Sequence, residues 1–184
     1  LRLEKQGLLV LQNEFAEAIK HLGEAATSPS LNSGALHGLG IAYYRLNKQK
    51  QASRFLLESL QAVDSSLVMD EGEEAELRSV YQRLFTVLED MSEERLSASN
   101  EKFIRLLSGK DWKQRVAETR RQIYELLNSG EEAIITDFIT DSGADDLTES
   151  VARIDRFTRQ GLLLLAMDEA HRAAAPSYTT ILSA

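Results

Sequence analysis

The sequence predicts an all-α protein, and three observations carry that expectation. Proline occurs only twice, at Pro29 and Pro176, both where helices would end. A proline inside a helix removes a backbone donor and clashes with the preceding turn, so its scarcity leaves long helices open. Apolar residues recur in steps of three and four, as in Leu77, Val80, Tyr81, Leu84, Phe85, Leu88 and Met91, which puts them on one helical face. Near the start, the chain also matches itself at a shift of 34 residues.

The elements follow in order. Leu96, Phe103, Ile104 and Leu107 form a second stripe, ended by Ser108-Gly109. Glycine suits a helix C-terminus because it adopts the left-handed conformation at little cost. Asn128-Ser129-Gly130 and Asp141-Ser142-Gly143 read as further breaks. Asp70-Glu71-Gly72-Glu73-Glu74 reads as a loop and a helix start, where negative charge is favourable. Trp112 follows Asp111 at another helix start, which predicts a capping aspartate and a packed aromatic. Ala133 to Thr140 carries strand-like residues, Ile134, Ile135, Phe138 and Ile139, between helical neighbours, and is read as a short helix.

At the 34-residue shift Asn13 falls on Asn47, Ala18 on Ala52 and Leu22 on Leu56. Leu9 falls on Tyr43 and Ala25 on Ser59. This is the period of the tetratricopeptide repeat, a pair of antiparallel helices. The second unit resembles that family through Leu36, Leu39-Gly40, Tyr43, Asn47, Ala52, Leu56 and Ser59, with Asp64 in place of the usual proline. The first unit fits through Asn13, Phe15, Ala18, Leu22, Ala25 and Pro29, mainly in its second helix. Gly40 and Ala52 are expected where the helices of one hairpin come closest, and Tyr43 and Leu56 where the next hairpin packs. The resemblance implies a solenoid of antiparallel helix hairpins. Two hairpins cover residues 1–66, and divergent hairpins, or a separate helical bundle, cover 67–184. In the divergent part, Phe85 takes the place of Tyr43. Tyr124 and Phe157, Asn128 and Gly161, Ala133 and Ala166, and Thr140 and Ala173 recur at a step of 33.

The charge balance restricts partners. The formal net charge is -8, with 21 Lys and Arg against 29 Asp and Glu. Such a chain lacks the cationic excess that displaces counterions from nucleic acid, and it disfavours an anionic membrane surface. No run of about 18 or more apolar residues suggests a membrane-spanning helix. Leu162 to Met167 is the longest apolar run. The chain opens at Leu1 and stops after Thr180-Ile181-Leu182, and so reads as a piece excised from a longer protein, from which no localisation follows.

No catalytic constellation stands out. There is no cysteine, and His21, His37 and His171 do not pair at metal-ligand spacing. Asp141 to Asp146 with Glu149 is faintly like a calcium loop, but Gly143 is misplaced for that motif. Asp168-Glu169-Ala170-His171, after Leu162 to Leu165, resembles the second motif of superfamily-two helicases, in which an acidic pair holds magnesium. The phosphate-cradling Gly-x-x-x-x-Gly-Lys-Ser/Thr loop that would accompany it is missing. Ala166, Ala170 and Ala173, ended by Pro176, instead read as the small-residue face of a repeat helix. Arg115, Arg120 and Arg121 alternate with Glu118 and Glu125 and read as a solvated helix face. So do Arg153, Arg156 and Arg159, set among Glu149 and Asp155.

The expectation is therefore a non-enzymatic scaffold, without cofactor or metal, that binds a protein or peptide on the concave face of the array. The resemblance implies that the first helices of the hairpins line that face. This selects His37, Ile41, Tyr44 and Arg45 from the second unit, Leu3, Gly7 and Val10 from the first, and Arg83 and Gln122 from the divergent part. Tyrosine and arginine make good anchors, since each joins contact area to a polar end. The chaperone-binding subgroup's grip on a peptide carboxylate is not expected, because Leu3, Gly7 and Gly38 occupy its donor positions. Exposed apolar ends would also let two copies pair as a homodimer. The alternative is a fragment of a helicase-like nucleotide hydrolase.

Overall fold

A computed structural model describes the backbone of residues 2–140, and side chains from residue 13 onward. The helices are α1 (Arg2–Ala25), α2 (Asn32–Arg45), α3 (Gln49–Ser65), α4 (Glu71–Glu89), α5 (Glu93–Leu106), α6 (Trp112–Ser129) and α7 (Ile135–Thr140). A 3-10 turn, Glu132–Ile134, leads into α7. The described residues are all-helical, with no strand among them. The calcium-like run from Asp141, the Asp168 to His171 motif, Pro176 and the units paired at a step of 33 lie outside the described residues or run out of them.

The helix ends obey local chemistry. Asp70 caps α4 by accepting the backbone N–H of Glu73 at 2.9 Å. Gly130 ends α6 in the left-handed conformation, at φ 78°. Pro29 sits in the turn between α1 and α2. Asp111 precedes α6 as expected, but its side chain makes no cap bond. Its carboxylate lies instead 3.5 Å from the Arg115 guanidinium one turn on.

Helices α2 and α3 form the tightest pair. A Cβ on Gly40 would lie 2.5 Å from Leu56 Cγ and 3.1 Å from the Leu56 backbone nitrogen, so only glycine permits this approach. Ala52 is fully buried at the same hairpin. Tyr43 stacks on Phe55, with ring centroids 5.4 Å apart. A small core of Leu22, Ala25, Ala35 and Leu39 joins α1 to this pair.

Two features differ from an array of hairpins. Helix α1 runs unbroken from Arg2 to Ala25, where the first of the two expected hairpins would have two helices. Neither proline nor glycine stands at Leu11-Gln12-Asn13, and Asn13, the equivalent of Asn47 at the α2–α3 turn, does not break the helix. Beyond residue 66, α3 becomes a hub that packs against α4, α5 and α6. Helices α4 and α5, joined by only a short connection, do not lie along each other. Instead α5 packs on α3, α6 on α4 and α7 on α5. The large core follows, running from Leu56 and Leu57 through Val80, Tyr81, Leu96 and Phe103 to Ile123, Ile135 and Ile139.

A buried charged quartet joins the hub. Arg120 of α6 donates to Asp64 of α3 at 2.8 Å and to Glu76 of α4 at 3.2 Å. Tyr81 of α4 donates to the other Asp64 oxygen at 3.1 Å. Burial pushes the Asp64 carboxyl up to about 6, although Arg120 and Tyr81 pull it the other way. Arg120 is thus not on a solvated face: it is 5% exposed, and Val116 and Ile123 flank it on the buried stripe of α6.

Candidate functional site

The residues singled out from the sequence do not line one groove. His37 sits in α2 with its Nε2 atom buried and without a hydrogen-bond partner. Desolvation lowers its pKa to about 4, so it is neutral at ordinary pH. Ile41 belongs to the large core. Arg45, half-buried, closes the last turn of α2. Gly38 meets Leu22, whose Cδ2 would lie 3.0 Å from an added Cβ. Gln122 donates to Glu118 one turn earlier, at 3.0 Å. The side chains of Leu3, Gly7 and Val10 lie outside the described residues.

Tyr44 and Arg83 reach two different clefts. The larger, of about 670 Å³, opens between the α2–α3 turn and the first half of α5. Asn47, Lys48, Gln49 and Gln51 form one wall, and Glu93, Glu94, Ser97, Ala98 and Glu101 the other. Tyr44 borders it by donating its hydroxyl to Glu101 at 2.6 Å. Burial, then the Glu101 hydrogen bond and charge, push the tyrosine pKa up to about 12. Asn47, at the turn, has φ 57°, a left-handed conformation that asparagine tolerates better than most residues.

The cleft wall is fixed from behind. Asn100, fully buried on α5, donates its amide to the backbone oxygen and the side-chain oxygen of Gln49, both at 3.0 Å. Gln49 in turn donates to Asn47 at 3.0 Å. These bonds tie α5 to the start of α3. Nothing in the local pattern around Asn100 announces its role, apart from a polar residue on the stripe of Leu96, Phe103 and Ile104.

The second cleft, of about 360 Å³, lies where α4 hands over to α5. Arg83 and Arg95 line it, and both are already ion-paired: Arg83 with Glu132, and Arg95 with Asp137 at 3.3 Å.

Among the described residues, no group of three or more His, Asp or Glu side chains could hold a metal ion. No helix among them is long and apolar enough to cross a membrane. No family model matches the chain, and neither a curated protein nor a solved structure shows detectable similarity to it.

Proposed function

We propose that this chain is a non-catalytic interaction module that binds a peptide or helix of a protein partner. The observation that carries the reading is the cleft beside Tyr44, which is open, polar and built on packed helices. Its walls come from the α2–α3 turn, the start of α3 and the first half of α5, and the side chains held on the two helices sit on rigid elements, which make a more exact recognition surface than loops do. The buried ionisable groups point the same way. Asp64, Tyr81, Glu76 and Arg120 bond to one another inside the core, away from either cleft.

The closeness of Gly40 to Leu56 and the burial of Ala52 support a tetratricopeptide-like hairpin at α2–α3. The packing of α5 on α3 favours a helical bundle after residue 66 over a continuing array. The partner surface is then the end of one hairpin and the helix docked on it, not a long concave face.

A pull-down from a source lysate tests the proposal. A discrete protein partner that is lost in Tyr44→Ala/Arg45→Ala, with helicity preserved, supports it. Absence of any partner, together with magnesium-dependent nucleotide binding lost in Asp168→Ala/Glu169→Ala, would overturn it in favour of a nucleotide hydrolase.

A further inference from the structure

We infer that α1 pairs with α1 of a second copy of this chain, so that residues 2–12 of each copy complete the first helix hairpin of the other.

The 34-residue step maps the α2–α3 hairpin onto α1. Arg45, the end of α2, falls on Leu11, and Gln49, the start of α3, falls on Phe15. The turn Leu46-Asn47-Lys48 falls on Gln12-Asn13-Glu14. In the second unit the chain folds back at that turn, with Asn47 at φ 57°, and α2 lies on α3. In α1 the same place is helical. One straight helix cannot fold its first half onto its second, so the contact made within the second unit is not made within the first.

Two observations mark the missing half. Helix α1 has 24 residues and α2 only 14. At about 1.5 Å per residue, α2, folded back along α1 from the turn at Pro29, ends about 15 Å short of the start of α1. The core between them accordingly draws on the far end of α1, through Ile19, Leu22, Ala25 and Ala26. An isolated helical stretch of about ten residues is marginal in water, and this one includes the run Leu8-Leu9-Val10-Leu11. The second half of α1 also keeps an open face. Ala52 and Gln49 of α3 are buried, whereas their equivalents Ala18 and Phe15, three apart on one face of α1, stay partly exposed.

The repeat says what covers that face. In the second unit the equivalent stretch of α3 packs against α2, and the counterpart of α2 in the first unit is residues 2–11. Because α1 is straight, only another copy can bring that segment there. Two antiparallel α1 helices supply it to each other through one two-fold, self-complementary contact. Charge agrees with the pairing. Residues 2–12 carry Arg2 and Lys5 against Glu4, and residues 13–25 carry Glu14, Glu17 and Glu24 against Lys20. The register follows from the second unit, where Gly40 meets Leu56. It sets residue 10 of one copy beside residue 18 of the other.

The full chain should sediment as a dimer in analytical ultracentrifugation and dissociate on dilution. The chain has no cysteine, so disulfide trapping has no background. Within one α1, positions 10 and 18 are about 12 Å apart. A disulfide needs Cα atoms within about 7 Å, so Val10→Cys/Ala18→Cys can close only between copies. Mild oxidation should convert it to a covalent dimer, with helicity by circular dichroism unchanged. Val10→Cys/Lys20→Cys, whose second position lies on the opposite face of α1, should stay unlinked. A wild-type chain that remains monomeric at every concentration would overturn the inference, and would mean that this face is covered within one copy. A dimer that traps neither pair, or both equally, would also overturn it, because the copies would then meet through another surface.

Discussion

Arg120 and Asp64, 56 positions apart in the chain, meet at 2.8 Å inside the core, with side chains 5% and 0% exposed. Their contact fixes α6 against α3, and Glu76 and Tyr81 satisfy the remaining bonds. A buried pair adds little net stability over apolar residues of like volume, yet removing one member strands the other. Arg120→Met alone should therefore cost about 3 kcal/mol, and Arg120→Met/Asp64→Leu markedly less. Urea unfolding of the two variants and Asp64→Leu closes the double-mutant cycle. Additive losses would show that the pair is not coupled.

Gly40 sets the spacing of α2 and α3. Gly40→Ala puts a methyl group into the Leu56 backbone and side chain, and overpacking of this kind costs about 1–3 kcal/mol. Gly23→Ala is the control, because nothing lies within 4 Å of an added Cβ there. It should hold or raise stability in thermal unfolding, since alanine is the better helix former.

His37 should make stability depend on pH. Its folded pKa, about 4, lies below the unfolded 6.5. The unfolded chain thus binds the proton first as pH falls, and stability is lost from about pH 6.5 down to about 4. Asp64 works in the opposite sense: its folded pKa is raised, so its contribution is largest in acid and declines as pH rises toward 6. Comparing wild type with His37→Leu cancels the Asp64 contribution. Between pH 7 and pH 5 the wild type should lose about 2 kcal/mol more than the variant in urea unfolding. Parallel profiles would mean that His37 is not desolvated.

The Tyr44 hydroxyl bonds a carboxylate, the stronger kind of neutral-to-charged contact. Tyr44→Phe should cost about 1.5 kcal/mol, and Tyr44→Phe/Glu101→Gln little more than that. Burial also raises Tyr81, so phenol titration followed by ultraviolet absorbance should show a component near pH 12 that Tyr44→Phe removes while the high-titrating Tyr81 stays.

Local features of the fold were legible, because they depend on neighbours in sequence. Asp70, Gly109 and Gly130 marked helix ends, and the stripes through Leu77 to Leu88 and Leu96 to Ile104 marked buried faces. A close helix contact at Gly40 was legible from the small residue itself, but the residue that meets it is Leu56 of α3, which the sequence reading placed against the next hairpin. The site was not. Tyr44 to Glu101 and Asn100 to Gln49 span 57 and 51 positions, and no periodicity reports such pairings. Arg120 gave a usable signal: a charge between Val116 and Ile123 on an apolar stripe needs a buried partner. Alternation with acidic neighbours on α6 masked it. The arrangement of α4 and α5 depends on how α5 docks on α3, a tertiary choice that a short connection alone does not dictate.

Amide chemical-shift mapping of the full chain, as a peptide from the partner recovered in the pull-down is added, tests the interaction reading most directly. Saturable shifts centred on Gln49, Gln51, Ser97 and Glu101, sharing one binding curve and lost in Tyr44→Ala/Arg45→Ala, are expected. Shifts scattered over acidic residues remote from the cleft, or none at Ser97 and Glu101 while other residues saturate, would contradict it.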